Sequence, residues 1–304
     1  MKLRCMAVCV ATLSLHLVSF DTRAQGVVLS PAELEAPVRA RLETAIARAK
    51  QRHPEAFVRV RNLRGHRPET YRRYRNQRPN VMPELQVLGE GGAWALIDAV
   101  AFTSLQRGNA TQEEWSAVRE GLLLALGDHA LSEAGVVLRE VFDRSREAGE
   151  LRAAAISLGK RGGAEDRRAL LAGLRRGGQS RNAALWGLRH VRRPEVVDAV
   201  APLLGDADEH TARLAARALG YVGSSWAWKT GNAGKASDEM PIRTRCAQVL
   251  LEAFVQRAGE VRKQVARSLA MVEHPDMRAM IDARLAVVID GEDRTALREL
   301  RKAF

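Results

Sequence analysis

One phrase returns in this chain, and its return limits what the chain can fold into. Residues 151–159 read LRAAAISLG and residues 212–220 read ARLAARALG. Aligned on the final Leu-Gly, both place Arg at 152 and 213, paired alanines at 154–155 and 215–216, and Leu-Gly at 158–159 and 219–220. The copies stand 61 residues apart, and a third Leu-Gly at 126–127 lies 32 residues before the first. A period near 30 marks a stacked-repeat architecture, because each short unit has too narrow an apolar face to bury alone and must stack on its neighbours.

From Gly91 onward the pattern predicts helix, short turn, helix, repeated. The expected pairs are 93–107 with 112–126, 132–146 with 150–158, 165–176 with 180–191, and 194–204 with 209–222. After an interruption the pattern resumes at 241–256 and 261–272 and closes with 275–289 and 295–302. Proline near helix starts and glycine near helix ends agree with capping preferences. Within the fourth pair, Val197, Val200, Ala201 and Leu204 form one stripe, and Leu214, Ala215, Ala218, Leu219 and Val222 form the facing one. Arg213 and Arg217 stand four apart on a different face. Aromatic residues make up only 5% of the chain, which suits helices packed through small side chains better than a β-sandwich.

The phrase around Arg213, Ala215, Ala216, Ala218, Leu219 and Gly220, after a turn bearing Asp206 and Asp208, resembles HEAT repeats, and among them the short lyase-type HEAT-like repeats. The copies at 117–127 and 151–159 match less fully and the one at 181–190 is loose. At 264–272 (QVARSLAMV) alanine replaces the glycine. The resemblance covers about residues 91–290. It implies an all-α solenoid of five or six antiparallel helix pairs offering an extended concave surface, with no active site or cofactor of its own.

Residues 1–24 read as a secretory signal peptide. Lys2 and Arg4 precede a mostly apolar run from Cys5 to Phe20, and cleavage is expected after Ala24. An uncleaved anchor helix is the competing expectation. Residues 25–90 form an Arg-rich extension with a first helix capped by Ser30, and 91–304 the repeat array. Cleavage removes Cys5 and Cys9 and leaves Cys246, which falls on an apolar helical stripe and reads as a core thiol. The whole chain carries a net charge of +12, and arginine supplies 41 of its 48 basic residues. Arginine's planar fork suits carboxylate and phosphate contacts.

Two segments depart from the repeat. The stretch 59–78 carries eight arginines and one glutamate, with Tyr71 and Tyr74 interleaved among Arg72, Arg73 and Arg75, and Arg59 and Arg61 at its start. Cations alternating with rings suit a phosphate-bearing or acidic partner, and a solvated cap is the plainer alternative. The stretch 223–240 is rich in Gly and Ser yet holds Trp226 and Trp228 beside Lys229. Two tryptophans in such a loop predict either a contact site or a loop folded back on the array. Trp94, Trp115 and Trp186 sit within helical patterns and are expected to pack.

Short matches to catalytic motifs do not persuade. Ser157-Leu-Gly-Lys160 and Lys229-Thr-Gly231 fit two signatures of penicillin-binding enzymes, but the first lies near a helix end and the second in an insert without strand periodicity. The histidines at 53, 66, 129, 190, 210 and 274 form no i, i+3 or i, i+4 pair suited to a metal. The sequence therefore predicts an exported, non-catalytic scaffold that binds a protein with an acidic surface. An enzyme or enzyme subunit of the HEAT-like lyase type, or a binder of anionic envelope polymer or lipid, stands as the alternative. Nucleic acid is a poor match for an exported chain.

Overall fold

The computed structural model describes residues 26–63, 81–230, 236–289 and 291–304. The signal-peptide stretch 1–24 and the arginines and tyrosines at 71–75 lie outside the described residues. The described residues form sixteen α-helices and no strand, so the chain is all-α.

After a 3-10 turn at Pro31–Glu33, the chain forms α1 (Ala36–Arg52) and α2 (Pro54–Arg61). Ser30 and Glu33 cap each other reciprocally, but they cap this turn. The first helix starts later than expected, at Ala36, next to Pro37. A short α3 (Met82–Gln86) leads to α4 (Gly92–Ala101), which ends at Ala101, well before the expected residue 107. Both α1 and α2 pack against α4. The backbone N–H groups of Val27, Val28 and Leu29 donate to the Ala99 and Val100 carbonyls at 3.1, 3.2 and 3.0 Å, satisfying acceptors that a helix end leaves open.

The repeats follow as α5 (Gln112–Gly127), α6 (Ser132–Arg144), α7 (Ala148–Arg161), α8 (Ala164–Arg176), α9 (Gly178–Leu188), α10 (Pro194–Val200) with a 3-10 extension to Gly205, and α11 (Glu209–Val222). The insert contributes α12 (Ser225–Thr230), a helix where a loop is expected from its glycines and serines. The chain closes with α13 (Glu239–Gln256), α14 (Gly259–Val272), α15 (Met277–Val287) and α16 (Glu292–Lys302). Helix starts obey local chemistry. Thr111 and Glu114 form a capping box on α5, and Asp208 accepts from the N–H groups of His210 and Thr211 at 3.1 and 3.2 Å on α11.

Second helices of successive pairs touch in order, α5 to α7 to α9 to α11 to α14, and form one row. First helices pack beside them, with α6 against both α4 and α8, and α13 against both α10 and α15. The Leu-Gly phrase now has its physical reason. Leu126, Leu158, Leu188, Leu219 and Leu269 are all fully buried at equivalent positions. The glycine that follows lets the next helix in the row come close. A Cβ on Gly127 would lie 2.3 Å from the Ser157 Cβ, and one on Gly159 would lie 2.0 Å from the Gly187 carbonyl oxygen. Ser157, the serine of the S-x-x-K match, is fully buried and donates to the Leu123 carbonyl at 2.9 Å, so it is a packing residue.

Arginine binds one repeat to the next. Arg152 pairs with Glu120 at 3.0 Å, Arg176 with Asp143 at 2.8 Å, Arg167 with Glu195 at 2.9 Å and Arg181 with Asp206 at 3.0 Å. Arg161 reaches back to the His129 and Leu131 carbonyls, capping the turn before α6. Arg119 and Glu150 form a buried pair at 3.0 Å. Much of the excess arginine is therefore internal fastening, each fork spanning roughly one repeat.

Candidate functional site

The insert splits its two tryptophans. Trp228 is 9% exposed, and its indole N–H donates to the Val222 carbonyl at 3.1 Å, while the Arg192 guanidinium lies 6.0 Å from its ring centre. Trp226, two residues away on α12, is 71% exposed, and Lys229 beside it is also exposed. Helix α12 packs on α14, and the Ser225 hydroxyl hydrogen-bonds the Glu273 carboxylate. Trp228 is thus the peg and Trp226 the outward ring. Trp228→Ala should lower the melting temperature by several degrees, the loss of about 3 kcal/mol expected when a buried aromatic is truncated. Trp226→Ala should leave it within a degree or so. Thermal denaturation of the two single variants checks the split, and equal destabilisation by both would contradict it.

The basic extension is divided in the same way. Arg59 on α2 donates to the Val87 carbonyl at 2.8 Å, a structural contact. Arg61 lines a cavity of about 590 Å³ with Asn62, Leu63 and Arg107. Arg72, Arg73, Arg75, Tyr71 and Tyr74 lie outside the described residues. No hydrogen bond or ion pair among the described residues joins α2 to α12.

A different group of cations and rings lies on the row of second helices. Placing the five helices in register on the Leu-Gly phrase puts Leu124, Ile156, Trp186, Arg217 and Arg267 in one column, three residues before the glycine position. Leu124, Ile156, Trp186 and Arg217 are half-buried and Arg267 is exposed. The column thus turns from apolar to cationic along the row. At the glycine position itself, Gly127, Gly159 and Gly220 are matched in α9 by Arg189.

That arginine builds a stack. The Arg189 Cζ lies 4.7 Å from the Trp186 ring centre and 5.0 Å from that of Tyr221. The Arg217 Cζ lies 4.9 Å from Trp186 and 5.9 Å from Tyr221. Two guanidiniums therefore share two rings, one ring from α9 and one from α11. Burial pushes the Arg189 guanidinium down to about 10, and the charges of Arg217 and Arg152 push the same way, against Tyr221. It is still protonated at neutral pH. Among the described residues neither Arg189 nor Arg217 makes a salt bridge, and the same is true of Arg213 and Arg267 nearby. The arginines that fasten repeats are paired with carboxylates, whereas these four make no such pair, the Glu260 carboxylate acting on Arg213 and Arg267 only from beyond salt-bridge distance.

Trp186 packs against the core as its helical setting predicts, and its half-buried ring is also a wall of this site. It also lines a cavity of about 310 Å³ with Arg152, Asn182, Gln179, Glu120 and His210. Glu120 there is held by Arg152, and the Thr211 hydroxyl, which donates to Asp208 at 2.7 Å, lies 3.1 Å from the Asn182 side-chain oxygen. The signal for this site was present in the repeat register, because residues in one column of stacked helices meet on one surface. Cys246 is fully buried, and burial pushes its thiol up to about 12, the behaviour of an unreactive core residue. No group of His, Cys, Asp and Glu suited to a metal occurs among the described residues, and no described helix is long and apolar enough to cross a membrane. Compared with known proteins, the chain matches no family model and no curated protein.

Proposed function

We propose that this chain is a HEAT-like solenoid scaffold, exported by its N-terminal signal sequence, that holds an acidic surface of a protein partner across its row of second helices. The single observation behind this reading is the group of Arg189, Arg213, Arg217 and Arg267, which make no salt bridge within the described residues while Arg152, Arg181 and Arg262 on the same row of helices are matched to carboxylates. Clustered like charges repel, and a partner that supplies carboxylates relieves the repulsion and gains from the fixed forks. The half-buried Leu124, Ile156 and Trp186 add apolar contact at the other end of the column. Trp226 on α12 provides a second, separate contact point.

Salt-graded capture from an envelope extract tests this. The immobilised chain should retain a protein at low salt and release it as salt shortens the screening length from ~10 Å at 0.1 M to ~3 Å at 1 M. The Arg213→Ala/Arg217→Ala/Arg267→Ala variant should lose that protein at every salt concentration. Undiminished capture by the triple variant would sink the reading. Retention of lipid or polysaccharide instead of protein would replace it with the envelope-polymer alternative.

A further inference from the structure

Resting on that reading of the basic row, we propose that Arg189 and Arg217 form a paired clamp for one carboxylate side chain of an extended acidic peptide in the partner, with Trp186 and Tyr221 holding both forks in place. A guanidinium has two flat faces and five N–H donors around its edge, and stacking on rings uses the faces and leaves the edge free. Both guanidiniums here lie over both rings, at 4.7 to 5.9 Å. Arg189 spends one donor, its Nε, on His190 Nε2 at 3.1 Å. Its four terminal N–H groups make no hydrogen bond within the described residues, and Arg217 makes none at all there. A carboxylate is planar and accepts two parallel N–H bonds from one fork, so two forks held by shared rings can grip both of its oxygens. The rings also fix the long side chains before the ligand arrives, which lowers the ordering cost of binding.

The rest of the row points to a peptide carrying acids at intervals. Arg217 and Arg267 occupy one column on adjacent helices of the row, and packed helices lie about 8–10 Å apart. A peptide in the extended polyproline-II form advances about 3.1 Å per residue with three residues per turn, so carboxylates at every third residue lie on one side and match that interval. A single phosphate can fill the clamp but cannot reach the next helix.

Calorimetric titration with a synthetic (Glu-Gly-Ser) repeat peptide, the same composition with its glutamates clustered, and inorganic phosphate tests the clamp. The spaced peptide is expected to bind at least tenfold more tightly than the clustered one or phosphate. Arg217→Lys, which keeps the charge, loses the fork and breaks no internal hydrogen bond, is expected to weaken the spaced peptide by about tenfold at unchanged melting temperature. Arg189→Lys should weaken it likewise, with a small fall in melting temperature from the lost Nε–His190 bond, and Tyr221→Leu should act through the loss of stacking. If the lysine variants bind as the wild type does, charge alone suffices and the clamp falls. The wider reading of the basic row then stands or falls on whether Arg213→Ala/Arg267→Ala weakens binding. Phosphate matching the spaced peptide would overturn the choice of carboxylate, and no binding of the spaced peptide by the wild type would overturn the clamp outright.

Discussion

Gly159→Ala is expected to cost about 3 kcal/mol or more, or to prevent folding, for the sake of one methyl group. The added Cβ would sit 2.0 Å from the carbonyl oxygen of Gly187 and 2.7 Å from its carbonyl carbon. Those are backbone atoms of α9 and cannot rotate aside as a flexible side chain would. The two helices must separate, and the fully buried Leu158, Ala184 and Leu188 around the contact lose their packing together. Chemical denaturation measures the cost. Gly205→Ala is the control, because nothing lies within 4 Å of the Cβ it would add. A Gly159→Ala protein as stable as the wild type would mean that α7 and α9 do not meet at this glycine.

The second large effect is expected at Arg243, on α13. Its side chain is buried, pairs with Glu239 at 2.8 Å, and donates to the Val272 and Glu273 carbonyls at 3.1 and 2.7 Å. These carbonyls close α14, where Glu273 takes a left-handed backbone conformation (φ 48°) that usually belongs to glycine or asparagine. The same Glu273 carboxylate accepts the Ser225 hydroxyl of α12, so one guanidinium supports a junction of three helices. Arg243→Ala leaves two carbonyls without their charged donor, and about 3 kcal/mol is expected from lost hydrogen bonds to a charged group. Arg243→Lys should recover only part, because one ammonium does not reproduce a fork bridging two carbonyls and a carboxylate. Melting curves of the two variants decide it, and loss of less than about 0.5 kcal/mol in the alanine variant would remove Arg243 from this role.

The helices were legible in the sequence because their stripes and caps are local. The interval 209–222 was read to the residue, since Asp208 caps its start and the apolar spacing runs unbroken to Val222. Where the outcome depended on tertiary contact, the reading failed. A glycine- and serine-rich insert gave no sign of α12, whose order comes from Trp228 against the array and Ser225 against Glu273. Nor did one tryptophan in a helical pattern announce that Trp186 meets an arginine from the end of its own helix and another from the next. Stacking brings those residues together from 31 positions apart along the chain. The arginine excess was visible but not its division, because composition does not say which forks already hold a carboxylate.

The stack itself follows from one exchange in the repeat. Where its neighbours have glycine, α9 is followed by Arg189, and α9 and α11 touch less extensively than α7 and α9 or α11 and α14. The row is therefore most thinly packed between α9 and α11, and the stack fills that seam, with Trp186 and Arg189 supplied from one side and Tyr221 and Arg217 from the other. A ligand that engages both forks spans this seam, and sits on it as a rivet sits across two plates.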